Sequence, residues 1–414
     1  MRRLLTLIGL ALALAFPALA ARPTHRGVVL PATPATVYQV VKDAQPGDTV
    51  QLAAGDYRLE LWGIQKTGEV VVEPQPGAKV TVIFAGMDGT SYLTLRGLHF
   101  VVPAGAQYGV QAWNSVTHVT FDALRIEGSS CADRSTGFGV SFRNLGPNAA
   151  VVLKNSDIGC IMSGVGLTDV DGVTLDHNAV HDLQADGFLL SGAHNSVVSN
   201  NTGTNWIYPE WVHPDFIQWF NGITPTENLT IKGNRFDRGT GMLVQGIFGE
   251  DGQHVYIEDN VLYGTMYNGI ANARTHHFKF HHNFVQPLAV EGDLGTWIIT
   301  RQEADDGDIT DNGTPLVTVG ANGEAQPTNI RVSGNIVTYP AAPGDTTQYD
   351  AWKLATGGGP VPPEPEPCPC SAPLVKRIVN LRQEVRELQR QLDAAQRRAD
   401  RAVRILQPPA PEQH

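Results

Sequence analysis

Asp186 and Asp215 are the residues whose type and spacing best fit them for chemistry. Each opens a short run of one kind, Asp186-Gly187-Phe188 and Asp215-Phe216-Ile217, echoed by Gln245-Gly246-Ile247 and Asn268-Gly269-Ile270. If these runs are equivalent places in a repeat, the two carboxylates stand side by side, about one strand spacing apart at the backbone. Carboxylates that close share a proton or hold a cation, and at a suitable separation they supply an acid and a base or nucleophile. Asp before Gly also caps turns with no chemistry at all. That accounts well for Asp186 but less well for Asp215, where Phe216 stands in place of the glycine. His213, two residues before Asp215, is read as an acid–base helper, with Gln218 close by. Asp186, Glu210 and Asp215 together offer the oxygen ligands that calcium takes.

Residues some thirty positions apart meet only on a scaffold that returns on itself, and an internal repeat supplies one. The octamers VTLDHNAV (173–180), LTIKGNRF (229–236), VYIEDNVL (255–262), FKFHHNFV (278–285) and IRVSGNIV (330–337) share one pattern, with a degenerate copy at 196–203. Their asparagines are Asn178, Asn201, Asn234, Asn260, Asn283 and Asn335, at steps of 23, 33, 26, 23 and 52, the last being twice 26. Alternation of apolar and polar residues predicts short half-buried strands. Recurrence every coil predicts that each strand lies beside its predecessor one layer up. The asparagines fall at the bend between two strands and are read as structural, each amide bonding to the layers above and below. Scarce helical periodicity and 43 glycines agree with an all-β solenoid.

The step of 33 contains an insertion at 204–214, just before Asp215, that includes Trp206, Tyr208 and Trp211. Such rings could wall a sugar-binding groove by stacking on pyranose faces, or fold onto the solenoid's side. Arg274 and Arg301, aligned at an offset of 27, could hold a uronate carboxylate. Pairing with Glu250 and Asp251 one coil below is the favoured reading, because the body is acidic. His276, His277, His281 and His282 suggest a metal cluster, but strand alternation sends His277 and His281 one way and His276 and His282 the other. A metal site there is therefore disfavoured.

Charge and punctuation divide the chain. Of 30 Lys+Arg and 41 Asp+Glu in 414 residues, positions 371–414 hold nine and five, leaving the rest at 21 against 36. A body that acidic repels nucleic acid and bare polyanions, and favours calcium or a neutral ligand. Arg2, Arg3, an apolar run from Leu4 to Phe16 and Ala18-Leu19-Ala20 have the form of a signal peptide over 1–20. That predicts a secreted, periplasmic or cell-surface protein without stable membrane insertion. Cys131 and Cys160 are 29 residues apart, which suits neighbouring coils and either a disulfide or two buried thiols. Cys368 and Cys370 suit pairing between subunits better than with each other. The solenoid is expected over 21–340, a stiff Pro/Gly-rich linker over 341–373, a coiled coil over 374–407 and a tail over 408–414. Ile378, Val385 and Leu392 with Leu374, Leu381 and Leu388 keep heptad spacing, which predicts a homo-oligomer, dimer or trimer.

A helix is predicted over 36–44, with Val37, Val40, Val41 and Ala44 on its apolar face, where a solenoid needs its first edge covered. This helix, followed by Pro46-Gly47-Asp48-Thr49, Val50-Gln51-Leu52 and Gly55-Asp56-Tyr57, closely resembles the opening of pectin-lyase-like β-helices. Further on, His213-Pro214-Asp215-Phe216-Ile217-Gln218, Gln245-Gly246-Ile247-Phe248 and Met266-Tyr267-Asn268-Gly269-Ile270 resemble bacterial secreted right-handed parallel β-helix repeat proteins. The resemblance implies an all-β right-handed parallel β-helix with an N-terminal capping helix and a polysaccharide bound along a face of stacked strands. On such a face Asp215, Asp186 and His213 would be catalytic, and Trp206, Tyr208, Trp211, Gln218, Arg274 and Arg301 would bind substrate. Lyase and glycoside hydrolase chemistry both occur on similar folds, and fold alone does not choose. The Asp-Pro-His-Asp motif of alginate epimerases and the polygalacturonase motif set are absent. The competing reading is a non-catalytic glycan-binding adhesin or phage tailspike-like fibre, favoured by a coiled-coil stalk; the signal peptide argues against a virion protein.

Overall fold

A computed structural model describes residues 26–132, 137–209, 212–290 and 295–357. The alternating segments form a right-handed parallel β-solenoid of about 11 turns, in which every strand pairing is parallel. One coil shows the plan. Strand Phe188–His194 leads into Val197–Ser199, and a bend at Asn201 leads on to Thr202–Thr204. Each of the three pairs with its counterparts on the coils before and after.

Alternation puts one side of every strand inside, where like residues stack. Leu175, Val198, Ile231, Ile257, Phe280 and Ile309 are register partners through six coils, and all are buried. Each such side chain stabilises the stack by about 1.5–3 kcal/mol relative to exposure.

The asparagine column is continuous. The backbone N–H of Asn178 donates to Asn201 Oδ1 (2.9 Å), and Asn201, Asn234, Asn260, Asn283 and Asn312 repeat the bond to the next asparagine, ending on Asn335. Each side-chain Nδ2 also donates to a carbonyl of the coil before, as Asn178 does to Leu153 O (3.0 Å). Asn312 divides the apparent gap of 52 into steps of 29 and 23.

Two helices accompany the strands. Helix α1, Val37–Asp43, forms where the apolar face was expected and buries Val37 and Val41. Helix α2, Thr347–Thr356, lies inside the segment expected to be an extended linker. Its Tyr349 and Trp352 pack against Val261, Tyr263, Phe284 and Leu288, and Trp352 Nε1 donates to Asp311 O (3.0 Å). No proline interrupts 345–356, so a helix with two aromatic anchors docks there and the linker can begin only after it. Cys131 and Cys160 form a disulfide between adjacent coils, the first of the two readings open for that pair. The signal-peptide region, Cys368, Cys370 and the coiled coil lie outside the described residues. Among the described residues no helix is long and apolar enough to cross a membrane.

A candidate acid–base site on one face of the solenoid

The register places Asp186 and Asp215 on adjacent coils at equivalent positions, because Phe188 pairs with Ile217. Asp215 in turn pairs with Gln245, and the pairing of Ile247 with Ile270 brings Asn268 into the same column. The next residue of the column is Trp297, paired with Asn268. The glycine after each polar residue has a steric cause. A Cβ at Gly187 would stand 2.6 Å from Phe216 O, and one at Gly246 would stand 2.1 Å from Gly269 O. Phe216, the exception, is wholly buried against Phe188, Trp206 and Phe236.

The two carboxyls differ in setting. The Asp215 backbone N–H donates to Asp186 Oδ1 (2.9 Å). The Asp215 side chain is 0% exposed, and neither of its oxygens has a hydrogen-bond partner among the described residues. Burial first, and the neighbouring Asp186 charge second, hold its pKa well above the usual carboxylate range. Burial also raises Asp186, to about 6, against the opposing donation from Asp215 N–H. The pair thus sets a wholly buried carboxyl beside a half-buried one, both with raised proton affinity, an arrangement suited to acid–base work.

Polar groups continue the column. The Gln245 amide nitrogen donates to His213 Nε2 (2.6 Å), and its carbonyl accepts from Asn268 Nδ2 (3.0 Å). His213 is thus tied to the coil after Asp215. Gln218 is half-buried on the strand Asp215–Phe220, between Leu189 and Phe248 on the neighbouring coils.

The aromatic insertion divides differently from expectation. Trp206 is 0% exposed, its Nε1 donating to Ala185 O (2.6 Å) and its ring packed on Phe216 and Phe236. It is a core residue and offers no face to a sugar. Tyr208 is half-buried, with its hydroxyl donating to Leu243 O. Glu210 and Trp211 lie outside the described residues. An aromatic pair that sequence reasoning missed, Tyr267 and Trp297, lies at the column's far end with ring centroids 5.8 Å apart. The offset of 27 read from the sequence sets Gly295 against Asn268, and the register shift that brings Trp297 there leaves no signal in the runs.

The arginines are not stacked. A register shift between Asn268 and Ile270 makes the true offset 28, so Arg301 pairs with Ala273. Arg274 lies one residue further, bonded to Asp251 (2.6 Å), Glu250 (2.7 Å) and Gln302, as the acidic-body reading anticipated. Arg301 stands 4.0 Å from Glu324. The two guanidiniums therefore do not form one carboxylate clamp.

Residues 108–285 match the family described as "Right handed beta helix region". A mannuronic acid specific polysaccharide family 6 lyase from human gut microbiota superposes with TM-score 0.54 and 15% identity, covering 78% of this chain and 84% of its own. A GH136 lacto-N-biosidase from Eubacterium ramulus gives 0.52 and 12%, covering 76% and 68%. At such identities the likeness concerns the fold. No curated protein sequence matches the chain. Parallel pairing among the described strands, the asparagine column and these matches agree: the chain folds as a right-handed parallel β-helix, and residues 108–285 carry the family's repeat region.

Proposed function

We propose that the column centred on Asp186 and Asp215 binds an extracellular polysaccharide and cleaves it by lyase or hydrolase chemistry. The observation that carries this reading is the pair of adjoining carboxyls on adjacent coils, one half-buried and one wholly buried, both held above the usual carboxylate range. In a lyase, Asp186 would remove the proton beside the uronate carboxyl while Asp215 delivers its own to the departing oxygen. In a hydrolase, Asp215 would protonate the glycosidic oxygen while Asp186 attacks, or activates water. His213, held by Gln245 on the next coil, would serve as a helper, and Tyr267 with Trp297 would offer the aromatic platform that Trp206 does not. Calcium is an alternative to the proton as the partner of the pair, with Asp186, Glu210 and Asp215 as its oxygen ligands. Export through residues 1–20, capping of the first coil by α1 and self-association through 374–407 complete the reading.

Binding without cleavage is the second reading, and one observation favours it: Asp215 has no exposed atom from which to pass a proton. One experiment separates the two. The full chain is incubated with a panel of polysaccharides, with and without calcium, and scored for new reducing ends and for absorbance from unsaturated uronates. Cleavage is expected, and Asp215→Asn should abolish it while the β-helix stays folded. His213→Ala should reduce it less. Binding with no cleavage of any glycan would establish the second reading. Full activity and an unchanged calcium response in Asp215→Asn would return that residue to the scaffold.

A further inference from the structure

The histidines at 276–282 lie away from the Asp186 column, and backbone geometry regroups them. His282 follows the strand Lys279–His281 with φ +52°, which breaks the alternation that would separate it from His281. The two rings instead lie side by side, centroids 4.0 Å apart. The pairing of Glu258, His281 and Thr310 on three successive coils puts Asp259, His282 and Asp311 at one bend, all with positive φ. Asp311 Oδ2 lies 3.6 Å from His281 Nδ1, and Asp259 Oδ1 lies 3.9 Å from His282 Nδ1. Ligand atoms of His281, His282 and Asp311 fall within 4.8 Å of one another.

Ligands at zinc distances on a tetrahedron stand about 3.3 Å apart, so small side-chain rotations would close this set. His281 Nδ1 is hydrogen-bonded to Thr310 Oγ1 (3.0 Å) and would exchange that partner for the ion, while the outer bond of His282 already suits it. His282 Nε2 donates to Thr356 O (3.0 Å), which leaves Nδ1 with its lone pair toward Asp259. A backbone carbonyl on the far nitrogen is how proteins orient a ligating imidazole. A lone pair and a carboxylate facing each other attract only through a proton or a cation. Two imidazoles with carboxylates suit zinc better than calcium or magnesium. Glu258 is engaged by Lys279 (3.2 Å) and does not compete.

We infer that His281, His282 and Asp311, completed by Asp259, bind one zinc ion at the bend of three successive coils. Through the His282–Thr356 bond the ion would fasten the end of α2 to the solenoid.

The test uses the untagged full chain, stripped with chelator and with Cys368 and Cys370 alkylated so that thiols cannot bind. Zinc is titrated by calorimetry and cobalt by visible absorption. One ion per chain and tetrahedral cobalt bands are expected. His282→Asn and Asp311→Asn, which keep a residue tolerant of the left-handed backbone, should each weaken zinc at least about tenfold. His277→Asn, the same change at another left-handed histidine, should leave affinity unaltered. Zinc should also slow hydrogen exchange of 347–357 in the parent chain but not in the two ligand variants. Absence of binding up to millimolar zinc in the folded chain would overturn the inference, as would undiminished binding in both ligand variants. In that case the histidines would serve only as partners for nearby carboxylates when protonated.

Discussion

Replacing Asp186 by Asn gives a prediction whose size follows from the site. The Asp186 carboxyl has a pKa of about 6 in the folded chain, against 3.8 ordinarily. The folded state therefore holds that proton more tightly than the unfolded state, and stability falls as pH rises from about 4 to about 6. The full loss is about 3 kcal/mol, and it persists above that window. Asn keeps an oxygen to accept the Asp215 N–H but has no proton to lose, so the variant escapes the loss. The stronger acceptance of the Asp215 N–H by the ionised carboxylate is already contained in that pKa, so Asp186→Asn should be about 3 kcal/mol more stable than the parent near pH 7.5. Near pH 3.5, where the parent carboxyl is protonated too, the two should be about equal. The assay is urea unfolding at stepped pH, read as the difference between variant and parent. The difference is essential because His181, buried between Asp157 and Asp182 and raised to about 9, gives stability that is present below 6.5 and lost through 9 in both proteins. A difference that does not change between about pH 3.5 and 7.5 would refute the argument, since Asp186 would then titrate alike in both states. The same variant should lose cleavage, so the site would be more stable without its function.

Asn260→Ala should cost about 3–5 kcal/mol in denaturant unfolding, because Asn260 Oδ1 accepts from both the backbone N–H and the Nδ2 of Asn234; the N–H would be left buried without a partner, and Nδ2 would keep only Val198 O. Truncation after Gly357 should leave a folded monomer by light scattering while the full chain self-associates; a multimeric truncated protein would show that the coiled coil is not the assembly element.

The repeat was legible because its signal is local and redundant. Alternation and a bend asparagine recur often enough that one degenerate copy, 196–203, and one hidden member, Asn312, do not obscure them. Equivalent runs then predicted the side-by-side placement of Asp186 and Asp215, since counting from one run to the next needs no side-chain detail. What was not legible turns on single backbone irregularities. One register shift at Asn268 moved Arg301 out of line with Arg274, and one left-handed residue, His282, brought together rings that alternation separates. Trp206 reads as a surface aromatic because it sits in an insertion, yet the opening beside Phe216 and Phe236 takes its ring inward. The depth of Asp215 depends on packing from several coils at once, and no run of neighbouring residues encodes it.

The asparagine column has a direction. Each backbone N–H in it is satisfied by the asparagine of the following coil, never the preceding one. A chain emerging from its N-terminus would always carry one coil whose bend donor still awaits the next asparagine. The growing stack thus has a sticky leading end and a finished trailing end. Shortening the solenoid from its start leaves every remaining backbone N–H of the column supplied, whereas cutting it back from its end uncovers a fresh one at each coil. Losses from the two ends should therefore differ in their tendency to recruit foreign strands, with Asn335, the last acceptor of the column among the described residues, marking the end to protect.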